Sequence, residues 1–135
     1  MTNWIRVQVP SGSPEELGPL QLAWLGDAVW EMHQRLRYCQ KPGRSKDLHV
    51  AVVSEVKASA QAKALLHLEP YLSDLEKDLV RRARNKAGRG PRKGQAAIYA
   101  KATGFETMIG WLFLQNPPRL AQLLDLLEQS DSYLQ

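Results

Sequence analysis

Apolar residues recur at three- and four-residue intervals along most of this 135-residue chain. Such series run through residues 22–36, 48–64 and 98–112. This spacing places apolar side chains on one face of an α-helix, whereas the strict alternation of a half-buried strand is not sustained anywhere. We therefore predict an all-α domain, a bundle of five or more helices.

Glycine, proline and capping residues divide the chain into helical segments. The first helix is expected to run from Pro14, capped by Ser13, to about Tyr38, with an interruption near Gly18 and Pro19. Further helices are predicted over residues 45–68, 75–85, 95–114 and 119–130, with Ser45 as a cap. The stretch KAGRGPRKG, residues 86–94, contains three glycines and a proline and is predicted to be a loop.

The length suits one domain. We expect an extended N-terminal segment at residues 1–14 and a single folded domain at 15–135. No apolar run approaches the roughly 18 residues that a membrane span needs. The N-terminus lacks the pattern of a secretory signal, and the lone Cys39 has no partner for an intrachain disulfide. A cytoplasmic protein with no membrane association is expected.

Positive charge is concentrated in one part of the chain. Residues 79–105 contain eight Lys and Arg and no Asp or Glu. Since the whole chain has 18 basic and 14 acidic residues, the remainder has 10 basic against 14 acidic residues and a net charge of −4. A localised basic segment of this kind indicates a polyanionic partner that is bound at one place.

Two carboxylates stand in unusually apolar helical surroundings. Asp27 lies in LAWLGDAVWEM beside Gly26, and Glu106 lies in ATGFETMIGWLFL one turn before Gly110. Helices that cross at small residues approach closely, and such a crossing would set the two carboxylates side by side, where their repulsion needs a cation to offset it. An isolated buried carboxylate is costly, so Asp27 is expected either to pair with an arginine of another helix or to bind a metal ion.

Other chemistries are not indicated by the residue pattern. His33, His49 and His67 lack the spacing of a zinc site, and each is interpreted as a surface or capped histidine. The chain has neither a glycine-rich phosphate loop of the GxxxxGK[ST] kind nor a GxSxG nucleophile motif.

The two carboxylate motifs carry a family resemblance. LAWLGDAVW resembles the signature of the ribonuclease III catalytic domain, and FETMIGWLFL resembles the second motif of that family. The order and separation of the motifs also match. RRARN before the predicted loop, YAKATGFE after it, and the lack of a double-stranded-RNA-binding domain narrow the resemblance to the Mini-ribonuclease III group. It covers roughly residues 15–130.

The resemblance implies an endoribonuclease that cleaves double-stranded RNA, with Asp27 and Glu106 as catalytic carboxylates that bind Mg²⁺, for which Mn²⁺ can substitute. It further implies a homodimer and, as substrate, the 23S ribosomal RNA precursor; the need for an accessory ribosomal protein is left open. Two acidic positions of the larger family are occupied here by Ala23 and Thr103, which leaves the number of metal ions open. Glu31 is a candidate for a missing ligand or a solvated helix residue.

The basic segment is interpreted as the RNA-binding surface, because guanidinium groups suit phosphates and A-form RNA is recognised mainly by its shape. The predicted RNA-binding residues are Arg81, Arg82, Arg84, Asn85, Lys86, Arg89, Arg92 and Lys93. The rival hypotheses are a non-catalytic helical RNA-binding or ribosome-assembly protein and, more weakly, a DNA-binding protein. Trp24, Trp30, Trp111 and the C-terminal leucines are expected to divide between the core and a dimer interface.

Overall fold

The computed structural model describes residues 16–88 and 95–130 and shows, in that part of the chain, only helices and their connections. The predicted all-α class is confirmed. The expected extended segment at 1–14, with the Ser13 cap, lies outside the described residues. The helices are α1 (Pro19–Cys39), α2 (Ser45–Val56), α3 (Ala58–Leu68), α4 (Asp74–Lys86), α5 (Ala96–Gln115) and α6 (Pro117–Gln129), with a 3₁₀ turn at Glu69–Tyr71.

The predicted interruption near Gly18 and Pro19 is found, whereas the predicted limits of the next helix are wrong. Gly18 is extended, with φ −68° and ψ 158°, and is the N-cap of α1, which begins at Pro19, where the missing N–H costs nothing. The expected helix start at Pro14 lies outside the described residues. The segment 45–68 is two helices, because Lys57 adopts an extended conformation with φ −68° and ψ 157°. Arg44 rather than Ser45 is the N-cap of α2.

Helices α4 and α6 begin at residues whose side chains cap them. The Ser73 side chain accepts a hydrogen bond from the Glu76 backbone N–H, and the Glu76 carboxylate accepts one from the Ser73 N–H at 2.8 Å, which completes a capping box for α4. Asn116 accepts from the Arg119 N–H at the start of α6. Helix α5 runs within one residue of its predicted limits at each end.

Helix α5 is the central element, with α1, α3 and α4 packed around it and α1 in the most extensive contact. Its Phe105 and Ile109 are fully buried, and Trp30 of α1 meets the Phe105 ring edge to face at a centroid distance of 5.0 Å. Three apolar residues expected to mark core faces are exposed instead, namely Met32, Leu36 and Ile98. No helix in the described ranges is long and apolar enough to cross a membrane.

A buried ion pair fastens α6 to α4. Glu76 is 3% exposed, and Arg119 donates to both of its carboxylate oxygens, at 2.8 and 2.9 Å. Arg119 also donates to the Tyr71 carbonyl at 2.8 Å, so one guanidinium joins α6, α4 and the 3₁₀ turn. The hydrogen bond from Arg119 lowers the pKa of Glu76 from its ordinary value despite its burial.

Candidate metal and RNA site

Helices α1 and α5 cross at a pair of glycines. A β-carbon added to Gly26 would come within 2.7 Å of the Glu106 carbonyl carbon and 2.9 Å of the Gly110 nitrogen. One added to Gly110 would come within 3.0 Å of the Leu22 carbonyl carbon. Only glycine allows backbones to approach this closely. The contact between the two motifs therefore requires glycine at both positions. Thr107 adds a hydrogen bond to the Pro19 carbonyl at 2.9 Å.

The glycine crossing brings Asp27 and Glu106 together. Asp27 lies close enough to Glu106 to change the pKa of the Glu106 carboxyl group. The pKa of Glu106 is raised to about 8, chiefly by burial and further by its interaction with Asp27 and the negative charge of Asp27, while the hydrogen bond from Gln61 acts in the opposite direction. The expected juxtaposition of the two acids is therefore found. Asp27 is next to Gly26, and Glu106 is one turn before Gly110.

The burial of the two acids differs from the expectation. Asp27 was expected inside an apolar helix face, but its side chain is exposed, whereas Glu106 is partly buried. The reason is the orientation of α1, which turns Leu22, Gly26 and Val29 toward α5 and leaves Asp27 at the rim of the crossing. The desolvation cost thus falls on Glu106, and the pair is open to solvent on the Asp27 side.

Neither acid is neutralised by a basic side chain within the ranges 16–88 and 95–130, where no ion pair involves Asp27 or Glu106. The structural alternative, an arginine from another helix, is therefore not found there. A carboxylate pair held close at a solvent-open rim without a counter-charge suits a hard divalent cation, which prefers carboxylate oxygens and retains several waters. The residues present fit such an ion.

No third Asp, Glu, His or Cys joins the pair to form a cluster among the residues that the structure describes. Ala23 and Thr103, at the family's acidic positions, are buried, and Thr103 donates to the Tyr99 carbonyl at 3.0 Å. Glu31 lies with its carboxylate 3.9 Å from Arg35 on the same helix. In this structure the pair is completed by an amide instead: Gln61 Nε2 of α3 donates to Glu106 Oε2 at 3.4 Å.

The predicted RNA-binding arginines lie on α4, but two of them are held by an acid. Asp78 forms ion pairs with both Arg81 and Arg82, the latter at 2.9 Å. This acid stands one residue before the acid-free segment 79–105, and the sequence interpretation did not weigh it. The hydrogen bond from Arg81, together with the charges of Arg82 and Arg81, lowers the pKa of Asp78. Exposed pairs of this kind are weak and can exchange for phosphate contacts.

The arginines of α4 do not contact the carboxylate pair. Gly104 of α5 faces α4, since a β-carbon there would come within 3.2 Å of Arg84 Cγ, and Gly104 is half a turn around the helix from Glu106. Arg82 lies instead near Thr107 and Trp111, and Arg84 near Lys77 and Glu69. Asn85 and Lys86 are exposed at the end of α4, while Arg89, Arg92 and Lys93 lie outside the described residues.

Gln61 is the site residue that sequence reasoning missed. It was passed over because polar residues in helices are usually solvent-exposed. Its spacing could have identified it. Gln61 precedes Ala64, Leu65 and Leu68 by three, four and seven residues, so it lies on the same buried face of α3. An amide at a stripe position must find a polar partner inside the protein.

Comparison with known proteins agrees with this architecture. The Ribonuclease III domain family matches residues 20–117. A Mini-ribonuclease 3 of Synechococcus sp. is 46% identical over 113 residues, which cover 84% of this chain and 82% of the relative. A Mini-ribonuclease 3 of Synechocystis sp. is 42% identical over 125 residues, covering 91% and 87%. The crystal structure of a Fusobacterium nucleatum protein superposes with a TM-score of 0.77 at 26% identity, covering 86% of this chain and 95% of that one.

The family match over most of the described helices identifies the chain as a helical nuclease domain. The chain belongs to the ribonuclease III family and, within it, to the Mini-ribonuclease 3 group. The resemblance predicted from the two motifs is confirmed, and the chain is an endoribonuclease.

Proposed function

We propose that this protein hydrolyses double-stranded RNA with a divalent cation, Mg²⁺ or in its place Mn²⁺, held by Asp27 and Glu106. The observation that carries the proposal is the meeting of these two carboxyl groups at the Gly26 crossing without a basic partner in the described ranges. A bound divalent cation would activate water and offset the charge that develops on the phosphate. Asp27 presents its oxygens to solvent, and Glu106 supplies a second set from the protein side.

The residues around the pair fix its geometry. The Gly26 and Gly110 contacts set the separation of α1 and α5, so the carboxyl groups cannot drift apart without unpacking the core. Ala23 and Thr103, one turn before Asp27 and Glu106 in their helices, are buried and uncharged. The site thus has two carboxyl groups rather than the four of the larger family.

The test of the catalytic role is Asp27→Asn. Carboxylate loss at an exposed rim position should remove Mg²⁺-dependent cleavage of duplex RNA while leaving the fold and duplex binding in metal-free buffer intact. The matched control is Glu31→Gln, one turn later on α1, which should cleave like the wild type. Wild-type protein that never cuts duplex RNA in Mg²⁺ or Mn²⁺ would refute the proposal and favour the non-catalytic RNA-binding alternative.

We propose that the basic segment binds the duplex through its phosphates. Asp78 already occupies two of the arginines, so engagement with RNA has to displace those pairs. Neutralising Arg82 and Arg84 together should weaken binding and flatten its salt dependence, since each lost phosphate contact lowers the slope by about one. Neutralising Arg44, which is exposed on α2, is the control. An unchanged salt slope in the double variant would exclude α4 from the RNA interface.

Dimerisation is typical of the family, and we propose a twofold homodimer in which two centres cut the two strands of one duplex. The tryptophans differ in burial: Trp30 is 4% exposed, Trp111 is partly buried, and Trp24 is 84% exposed. An indole left in water on α1, one turn before Asp27, favours Trp24 as an interface residue. Trp24→Ser should shift the protein to monomer in sedimentation equilibrium; a variant that stays dimeric would remove Trp24 from the interface.

The physiological substrate that we propose is the 23S ribosomal RNA precursor, at the duplex formed by its two ends. Support comes from similarity to the Mini-ribonuclease group alone. Incubation of the protein with a transcript carrying both precursor ends should release mature-sized RNA, with and without added ribosomal proteins. A transcript in which the duplex is disrupted by base changes on one strand should resist cleavage, and restoration of pairing on the other strand should restore it.

A further inference from the structure

Gln61 occupies an unusual place for an amide. It is 3% exposed and lies in the buried stripe of α3 with Ala64, Leu65 and Leu68. Burial of an amide without hydrogen bonds costs about 1–3 kcal/mol in proteins, so a buried glutamine is retained where its polar atoms have a use. Its Nε2 donates to Glu106 Oε2 at 3.4 Å.

Three helices therefore meet at the Glu106 carboxyl group. Helix α5 carries it, α1 brings Asp27 against it, and α3 brings the Gln61 amide. A glutamate side chain has several rotamers, and a cation site needs one of them. The Gln61 donor on Oε2 restricts the orientation of the Glu106 carboxylate and leaves Oε1 to another partner. Because the amide is neutral, it adds no charge to the carboxylate pair.

We propose that Gln61 is a positioning residue that holds the Glu106 carboxylate in the orientation in which Glu106 and Asp27 bind a divalent cation. The inference rests on the proposed function of the pair. It accounts for a buried amide beside a site that has two carboxylates instead of four. Groups that orient metal ligands by hydrogen bonds typically change metal affinity about 10-fold to 100-fold when they are removed.

The test measures cation binding directly, without RNA. Gln61→Met keeps the length and apolar stem of the side chain and removes the donor. Gln34→Met is the matched control, because Gln34 is also fully buried in a helix, and its Nε2 has no hydrogen-bond partner among the described residues. Mn²⁺ is titrated into each metal-free protein, and free Mn²⁺ is followed by electron paramagnetic resonance.

The expected result is a Kd for Mn²⁺ that rises about 10-fold in Gln61→Met and stays at the wild-type value in Gln34→Met. The Mg²⁺ concentration that half-saturates duplex cleavage should rise by the same factor, while kcat at saturating Mg²⁺ returns close to that of the wild type. A residue that only supports the fold would lower the melting temperature without this split between metal affinity and kcat.

A Kd for Mn²⁺ that is unchanged in a folded Gln61→Met protein would overturn the inference, as would an equal weakening in Gln34→Met. If Gln61→Met does not fold, Gln61→Asn replaces it, since the shorter side chain keeps the amide but withdraws it from Glu106, and the same rise in Kd is expected. Wild-type protein that binds Mn²⁺ but never cleaves duplex RNA would instead refute the proposed function, with the Kd comparison still deciding the role of Gln61.

Discussion

Replacing Glu106 with glutamine should make the metal-free protein more stable at neutral pH. In the folded chain the pKa of Glu106 is raised to about 8, whereas an unfolded glutamate titrates near 4.5. At intermediate pH the folded state retains a proton that the unfolded state releases. Stability therefore falls as pH rises from about 4.5 to about 8 and levels off above, the opposite of the behaviour of a salt-bridged carboxylate.

The magnitude follows from the difference between the two pKa values. The unfolded pKa lies about 2.5 units below pH 7, so the raised pKa of Glu106 lowers the free energy of unfolding at pH 7 by at most roughly 3 kcal/mol. Glu106 is only partly buried and Asp27 is exposed, so solvent screening reduces this to about 1–2 kcal/mol. For a domain of this size the expected gain in melting temperature of Glu106→Gln is roughly 3–8 °C. The amide can still donate to Asp27, which preserves the local contacts.

Thermal unfolding followed by circular dichroism in a chelating buffer at pH 5, 7 and 8.5 measures this effect. The advantage of Glu106→Gln should be small at pH 5 and should increase with pH. Glu31→Gln is the control, with an expected change within about 0.5 kcal/mol. Added Mg²⁺ should stabilise the wild type and not Glu106→Gln. A variant with no advantage at pH 7, or with one that does not grow with pH, would refute the reasoning about burial.

Three further changes test the packing and the charges. Gly110→Ala would bring a β-carbon within 3.0 Å of the Leu22 carbonyl carbon, so urea unfolding should show a loss of about 2–3 kcal/mol; a tolerated alanine would contradict the close crossing. Asp78→Asn should raise duplex-RNA affinity and steepen its salt dependence in fluorescence anisotropy, and equal affinity would mean that its arginines do not meet RNA. Arg119→Leu leaves the Glu76 carboxylate buried alone and should cost about 3–5 kcal/mol at pH 7 and less in acid, where Glu76 of the variant takes up a proton; a loss that is constant with pH would exclude the ion pair as its cause.

Residue spacing and small residues were sufficient to predict most of the helices and the crossing of α1 with α5. Apolar spacing identified the central α5, and the pairing of Gly26 with Gly110 followed from small residues beside an acid in each motif. The break between α2 and α3 was missed because Lys57 is neither glycine nor proline. Its extended conformation lets α3 turn to pack on α5, which is a tertiary effect.

The division of burial between the acids could not be read from either motif. Both carboxylates stand in apolar runs, but only the packing of three helices on α5 decides that Glu106 is enclosed and Asp27 is not. The same packing brings Gln61 to Glu106 from a helix that carries no recognised motif. The sequence therefore predicts that the two acids meet, whereas the burial of Glu106 and its raised pKa depend on the tertiary structure.

The asymmetry between the two acids gives a last prediction, for Asp27→Asn in the metal-free protein. Asp27 raises the pKa of Glu106 through a hydrogen bond and through its charge, but burial is the largest cause. Removal of the charge should therefore lower the pKa of Glu106 below about 8 while leaving it above the ordinary 4.5. Carbon-13 NMR of the Glu106 carboxyl group over a pH titration measures the change.

Each alternative result has a distinct physical meaning. A pKa of Glu106 that returns to about 4.5 in Asp27→Asn would show that repulsion, and not desolvation, controls the site. A pKa that does not move would show that the two carboxyl groups do not interact, which would remove the basis for a shared cation. An intermediate value fits a glutamate that the fold holds out of water, so that a cation bound at the Asp27 rim has to displace its proton and metal affinity should increase with pH until Glu106 is ionised.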